Sequence, residues 1–318
     1  MSLSVRWLLY PLNTTCNCTS VHSIKFQQIV GHMSLSKFFN GSGRGLSFEL
    51  FPPKTEDGIP GLIDAVADLC RFKPDFFTCT YGAGGSTQNR TMQVATAVKK
   101  QFGLPVASHL TCVGSTVDQL REYLTHAQAE GVEFIVALRG DPPKGETEFR
   151  QADGGLRYAN ELVSLIRSEF PSFGIAVAGY PETHQEAPSF EVDLANLKRK
   201  VDAGADIIVT QLFYRNEDFF RFRDECDRVG IRIPIVPGIM PVTNLSQIKR
   251  IASMCKAFLP ESFLEDLAKS DEADWQFKVG VEFARQQVRE LLASGVPGLH
   301  FYVLNKSLAT GQVLEAVD

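Results

Sequence analysis

LSFELFPP (46–53) reads as a strand buried on both faces that carries a single carboxyl group: Glu49 interrupts the apolar run, and Pro52-Pro53 fixes the exit. Seven further runs follow it: DFFTCT (75–80), PVASHL (105–110), EFIVAL (133–138), FGIAVAG (173–179), ADIIVTQ (205–211), IRIPIV (231–236) and GLHFYVL (298–304). Each is too short for a helix and rich in Val, Ile and Phe, as buried parallel strands are. Each also stops at residues able to do chemistry or to turn the chain sharply: Glu49, Thr80-Tyr81, His109 to Thr111, Arg139-Gly140-Asp141, Tyr180, Gln211, Pro237-Gly238 and Asn305. Eight strands with chemistry gathered at their ends predict an α/β fold, a (β/α)8 TIM barrel with its active site on the C-terminal face of the strands.

Helical spacing fills the intervals. Leu62, Val66 and Leu69 mark a first helix, Met92, Thr96 and Lys99 run beside Val94 and Val98 in a second, and Leu120, Leu124 and Ala127 mark a third. Phe190, Leu194, Leu197 and Val201 form an apolar stripe beside the polar row Asp193, Asn196, Lys200. The interval 240–297 has room for extra helices, the last spaced on Trp275, Val279 and Phe283. At 318 residues and 44% hydrophobic content the chain can bury one large core, so a single catalytic domain is expected over 46–318.

Residues 1–45 form an N-terminal extension, expected to be disordered or a targeting segment. They hold Arg6, Lys25, Lys37 and Arg44, and no acidic residue precedes Glu49. A transit peptide has that composition, but WLLYPL is too short for a secretory core and arginine is sparse, which favours a dispensable extension. A net charge of -5 argues against nucleic-acid and anionic-membrane partners. Seven cysteines, scattered apart from Cys16 and Cys18, carry no metal-ligand spacing and predict a reduced, cytoplasmic compartment.

For Glu49, burial at a strand end predicts a raised pKa and a general acid, with a salt-bridged structural glutamate as the alternative. Arg139 and Asp141 straddle Gly140 in RGDPP (139–143), either to tune a cofactor or as a local ion pair. TYGAGGST (80–87) is rich in glycine yet lacks both the GxGxxG order and the GK[ST] ending of phosphate loops. His109 and His184 have no companions at metal spacing, so no metal site is expected. Taken alone, the row Asp193, Asn196, Arg199, Lys200 is a solvated helix face. The barrel by itself leaves open a flavin-free lyase and a non-catalytic binding subunit.

Together, SFELFPPKT (47–55), TYGAGGSTQNRT (80–91), SHLTC (108–112), IVALRGDPP (135–143), AGYPETHQEA (178–187), DLANLKRKVDAGAD (193–206), TQLFY (210–214), PIVPGIMPV (234–242) and FYVLNKS (301–307) closely resemble methylenetetrahydrofolate reductase, in order along the chain. The resemblance implies a bacterial-type catalytic domain that binds FAD, without the C-terminal regulatory domain of eukaryotic members. NADH or NADPH would donate hydride and be replaced by 5,10-methylenetetrahydrofolate, giving 5-methyltetrahydrofolate for methionine supply. It assigns Glu49 as general acid and Asp141 as the acid between flavin and pterin. Gln211, Tyr302 and Lys306 fall at the substrate, and Thr80 at the nicotinamide. The FAD contacts become Tyr81, Ala83, His109, Arg139, Gly140, Asp141, Tyr158, Tyr180, His184, Ala187, Asp193, Asn196, Arg199 and Lys200, which turns the polar helix face toward the diphosphate. Leu212 and Leu245 stand where some bacterial members carry aromatic residues. Lys306 replaces an arginine whose bidentate geometry it cannot reproduce. The partners expected are these small molecules and further copies of the chain.

Overall fold

Strand-forming runs and helical stripes assemble as the alternation demands. The computed structural model describes residues 33–41, 43–80, 88–142 and 149–317, which leaves the glycine-rich loop 81–87, with Tyr81 and Ala83, and residues 1–32, with Cys16 and Cys18, outside the described residues. The strand segments are β1 (Gly45–Leu50), β2 (Phe76–Cys79), β3 (Val106–Thr111), β4 (Phe134–Leu138), β5 (Gly174–Gly179), β6 (Ile207–Thr210), β7 (Ile235–Val236), β8 (Gly238–Ile239) and β9 (Gly298–Tyr302). All pair in parallel, in the order β7-β6-β5-β4-β3-β2-β1-β9-β8. The two ends of that order, β7 and β8, are halves of one strand separated by Pro237, so the sheet comes round to a (β/α)8 barrel.

The seventh strand differs from its expected span of 231–236. Ile231 to Pro234 stay outside the sheet, and the strand breaks at Pro237. Neither proline has an N–H to give to a ladder. Each serves as acceptor instead, Pro234 O from Ile208 N at 2.9 Å and Pro237 O from His300 N at 3.0 Å.

Between the strands lie α1 (Ile59–Cys70), α2 (Gln88–Phe102), α3 (Val117–Ala129), α4 (Ala159–Glu169), α5 (Phe190–Asp202) and α6 (Asn216–Arg228). After β8 come α7 (Leu245–Cys255), α8 (Glu261–Ala268) and α9 (Ala273–Ala293), and α10 (Leu308–Leu314) follows β9. The period-2 pleat sends Phe48, Leu50, Phe77, Ile135, Ile175, Ile208 and Phe301 into the layer shared with the helices. Phe76, Ala107, Phe134, Val136, Ala176, Ile207 and Val236 fill the barrel interior. The stripes of α1 and α3 are buried as spaced, while in α2 the buried face is Met92, Val94, Ala95 and Val98, with Thr96 and Lys99 at its margin. On α9 the wall-facing stripe includes Gly280, Ala284, Val288 and Leu291. Val279 and Phe283 turn instead to a side cluster with Tyr214 and Phe263.

The barrel also begins earlier than residue 46. Ser34 caps a 3-10 turn at Leu35–Phe38, and its hydroxyl donates to Asp206 Oδ1 at 3.0 Å. Leu35 is fully buried, Phe39 nearly so, and Phe38 stacks on Phe76 with centroids 5.5 Å apart. These side chains close the N-terminal end of the barrel, because the inward residues there leave an apolar opening that water would otherwise occupy. Each fully buried Leu or Phe contributes roughly 1.5–3 kcal/mol. Gly45 is the first residue of β1. No described helix is long and apolar enough to cross a membrane.

Candidate active site

At the opposite, C-terminal end, polar side chains take over. The alternation that puts Phe48 and Leu50 outside aims Glu49 into the barrel, level with Thr78 on β2 and Tyr302 on β9. Glu49 is 7% exposed, and its Oε2 lies 3.5 Å from His109 Nε2 on β3. Burial raises the Glu49 carboxyl to about 8 and lowers the His109 imidazole to about 4. Between those limits both groups are neutral, so this contact is a carboxylic acid beside an uncharged ring and not an ion pair. One turn of the pleat below, Ser47 Oγ and His300 Nδ1 share a hydrogen bond of 2.8 Å. Burial lowers His300 to about 3, and His109, once it is protonated, adds to the effect.

Tyr302 stands edge-on to His300, with centroids 5.1 Å apart, and its hydroxyl donates to Thr210 O at 2.7 Å. It thereby spans the gap where Pro237 interrupts the sheet. Gly238 makes that crossing possible, since a Cβ there would lie 2.2 Å from Thr210 O and 2.6 Å from Tyr302 Cε2. Tyr302, Lys306, Asn244, Gln247 and Ile251 line a cleft between α7 and the β9 exit.

A second cluster surrounds the ends of β4 and β5. Arg139 forks onto Glu186, with Nη2 2.7 Å from Oε1, and stacks over Phe149 at 5.0 Å. Tyr180 meets His184 edge-on at 4.6 Å. Asp193 Oδ2 accepts from His184 N at 2.8 Å, and His184 Nδ1 from Glu186 N at 3.1 Å. Lys200 reaches inward from α5, donating to Ala178 O and lying 5.7 Å from the Tyr180 ring centroid. Burial lowers its ammonium to about 8, against the opposing pull of Asp193. Thr183 holds φ +80, a costly left-handed conformation for a β-branched residue, in the loop that carries these groups.

The remaining expected residues divide by placement. Asp141 is exposed at the β4 exit, within electrostatic reach of Arg139 and Tyr180. Gly140 has φ +87, and a Cβ there would sit 2.5 Å from Val113 Cγ1, so the backbone passes close to the β3 loop. Thr80 lies at the β2 exit with its N–H on Leu50 O, and Ala187 N donates to His184 O. Gln211, just past β6, accepts from Leu212 N through its own Oε1 at 2.9 Å. Tyr158 is 47% exposed at the start of α4. Arg199 and Asn196 bond each other at 2.6 Å on the exposed side of α5, so of the basic pair only Lys200 is directed inward by its contacts. Leu212 is buried, and Leu245 packs against the same side cluster.

Sequence reasoning gave no role to Glu186, Ser47, Thr210 or Gln247. Glu186 stood in a quoted motif two residues after His184 and was findable. Ser47 and His300 meet across 253 residues, which no local pattern reveals. No group of three His, Cys, Asp or Glu side chains poised for a metal occurs among the described residues, and Cys70, Cys79, Cys112, Cys226 and Cys255 are free thiols.

A family profile for methylenetetrahydrofolate reductase matches residues 36–318. "Methylenetetrahydrofolate reductase (NADH) 1" of Arabidopsis thaliana is 42% identical over 272 residues, covering 81% of this chain and 46% of that protein. "5,10-Methylenetetrahydrofolate reductase" of Escherichia coli (strain K12) is 40% identical over 263 residues, covering 82% of this chain and 86% of the relative. The chain thus spans about half the length of the plant relatives it matches. Among solved structures, an uncharacterized protein from Clostridium thermocellum, described as binding two copies of 5-methyl-5,6,7,8-tetrahydrofolic acid, superposes with a TM-score of 0.62 at 13% identity. That superposition covers 89% of this chain and 96% of the other, and it shows the shared fold. The chain belongs to the methylenetetrahydrofolate reductase family.

Proposed function

We propose that the barrel reduces 5,10-methylenetetrahydrofolate to 5-methyltetrahydrofolate, with FAD resident at the β4–β5–α5 end and NADH or NADPH as donor in ping-pong alternation with the folate. NADH is favoured by the names of the plant relatives. The observation that carries this reading is Glu49, a neutral acid at the floor of the open end of a barrel from this family.

The residues present suit a flavin dinucleotide. Lys200 is a desolvated cation whose fixed contacts are a carbonyl and a ring face, which leaves its charge to be met by an anion such as a diphosphate. Thr111 Oγ1, beside Gly140 at the same end, is buried without a hydrogen-bond partner. Arg139, Gly140, Tyr180, His184, Asp193 and Lys200 would hold the group, with Asn196 and Arg199 at its outer margin and Tyr81 and Ala83 expected from the loop. Bound there, FAD supplies two-electron hydride chemistry.

Glu49 then has a defined task. Its O–H proton passes to the ring nitrogen that leaves when the folate's five-membered ring opens, the carbon–nitrogen bond breaks, and an iminium cation remains on the substrate. The Asp141 carboxyl group at the rim offsets that positive charge. His109, kept neutral by burial, places no positive charge beside Glu49 that would favour the carboxylate over the acid. Gln211 and Tyr302 present polar groups at the folate edge. Lys306, exposed beside the cleft, suits the anionic tail of a folate. Purified protein that is yellow, oxidises NADH anaerobically and then turns over methylenetetrahydrofolate would support the reading, and colourless protein that neither binds FAD nor oxidises NADH would refute it.

A further inference from the structure

Directly above Glu49, the exits of β1 and β9 are joined by one side chain. Asn305 Nδ2 donates to Phe51 O at 2.8 Å, while Phe51 N donates to Asn305 Oδ1 at 2.9 Å. A carboxamide has the donor and acceptor of a peptide group, so Asn305 completes the β1–β9 ladder after the β9 backbone has turned away. That turn is demanding: Leu304 and Asn305 lie consecutively in the left-handed region, at φ 50 and φ 57. Asn tolerates such a backbone, but Leu does so only at a cost. The conformation persists because Lys306 N closes the turn on Val303 O at 2.8 Å and because Asn305 bonds both polar groups of Phe51. On the other edge of β1, Thr80 N donates to Leu50 O at 2.9 Å. The peptides that follow Glu49 are therefore held from both sides. Asn305 is also flanked by Leu304 and Lys306, both of which line, with Tyr302, the cleft beside α7.

We infer that Asn305 is a positioning residue for the proton-donating step: by tying Phe51 to the β9 exit it fixes the Glu49 carboxyl against the Tyr302–Lys306 wall where the folate is bound. This rests on the reading of Glu49 as proton donor. The groups that face Glu49 are His109 from β3, Tyr302 from β9 and Thr78 from β2, with the Cys79 thiol on the other face of β2 within electrostatic reach. The β1 ladder pairs Glu49 with Thr78 and Tyr302, and the Asn305 side chain extends that hold to Phe51, where the β9 backbone no longer reaches. With the tie cut, β1 frays above Glu49 and water reaches a carboxyl that burial now keeps protonated.

The test uses full-length holoprotein carrying Asn305→Ala or Asn305→Gly, the glycine variant removing the side chain while easing the left-handed turn. Three results are expected in both variants. Amide hydrogen exchange at residues 50 and 51 rises at least about tenfold without a comparable rise in the strands on the far side of the barrel. The folate half-reaction slows roughly 10- to 100-fold, while NADH oxidation stays within about threefold. The alkaline limit of the folate half-reaction moves to lower pH. Unchanged exchange at residues 50 and 51, or equal losses in the two half-reactions, would overturn the inference. Glu49→Gln, run alongside, separates the failures. If Glu49→Gln leaves the folate step intact, the proton-donor reading itself fails. If Glu49→Gln abolishes the step while both Asn305 variants keep the wild-type rate and pH limit, the positioning role alone fails.

Discussion

The two ends of the barrel answer to different demands although the same strands build both. At the N-terminal end, Leu35, Phe39, Phe76 and Phe134 are buried, and aromatic rings pack on one another at centroid distances of 5.5–6.2 Å. A charged cluster there is fully engaged: Asp206 accepts from Arg167 Nη2, Ile175 N and the Ser34 hydroxyl. At the C-terminal end a carboxyl, an imidazole and an ammonium are all pushed toward their neutral forms by burial. Thr78 Oγ1 and Thr111 Oγ1 have no partner among the described residues, and Thr183, Leu304 and Asn305, none of them glycine, adopt positive φ. Stability is invested at one end and withheld at the other, the separation expected of a barrel enzyme.

That contrast makes the floor variants the largest expected stability effects. Phe134→Ala should cost about 3–5 kcal/mol in urea unfolding by leaving a cavity among rings that cannot collapse. In the fraction that remains folded, FAD affinity should change little. Deleting residues 1–40 removes Leu35 and Phe39 together, and a loss of several kcal/mol is expected, measured as a lower urea midpoint. Read as sequence, this segment looked dispensable. An unchanged midpoint in the truncated protein would show that it adds nothing to the floor.

At the mouth, Lys200→Ala should weaken FAD binding roughly 10- to 150-fold in a fluorescence titration, the range for one charge-assisted hydrogen bond of about 1.5–3 kcal/mol. Its melting temperature should hold, because the apolar stripe of α5 is untouched. Arg199→Ala, on the exposed side of the helix, should change the affinity less than about threefold. Equal effects of the two substitutions would return the whole row to the solvent. A smaller effect is expected for Tyr302→Phe, about 0.5–1.5 kcal/mol of stability from the lost bond to Thr210.

Much of the fold was legible because its signals are local. Strand runs such as FGIAVAG and helical stripes such as Leu62, Val66, Leu69 fall within a dozen residues, and their periods fix which face is buried. The seventh strand was misjudged because IRIPIV has the apolar content of a strand while its prolines deny it the ladder. The packing of Leu35 to Phe38 was not legible, because four residues are too few to show a period, yet enough to close a barrel. At the site, residues at strand ends were readable from position alone. Pairings were not, since Arg139 with Glu186 and Asn305 with Phe51 depend on loops whose course only the folded chain defines.

The central claim is that burial keeps Glu49 as an acid for the folate step, and its pH dependence tests that claim from two sides. Because the folded pKa is raised above the unfolded value of 4.5, the stability linked to this group is fully present below about 4.5 and is lost as pH rises through about 8. Glu49→Gln should therefore melt higher than the wild type above pH 8 and lose that advantage toward pH 5. The most direct measurement is the anaerobic stopped-flow rate of each half-reaction across pH 6 to 10 in wild type and in Glu49→Gln. The account predicts a wild-type folate step that falls about tenfold per unit above about pH 8. In the variant the folate step should be at least ~100-fold slower and show no such limb, with the NADH step within about tenfold of wild type. A limb near pH 8 that survives in Glu49→Gln, or equal losses in both half-reactions, would contradict it.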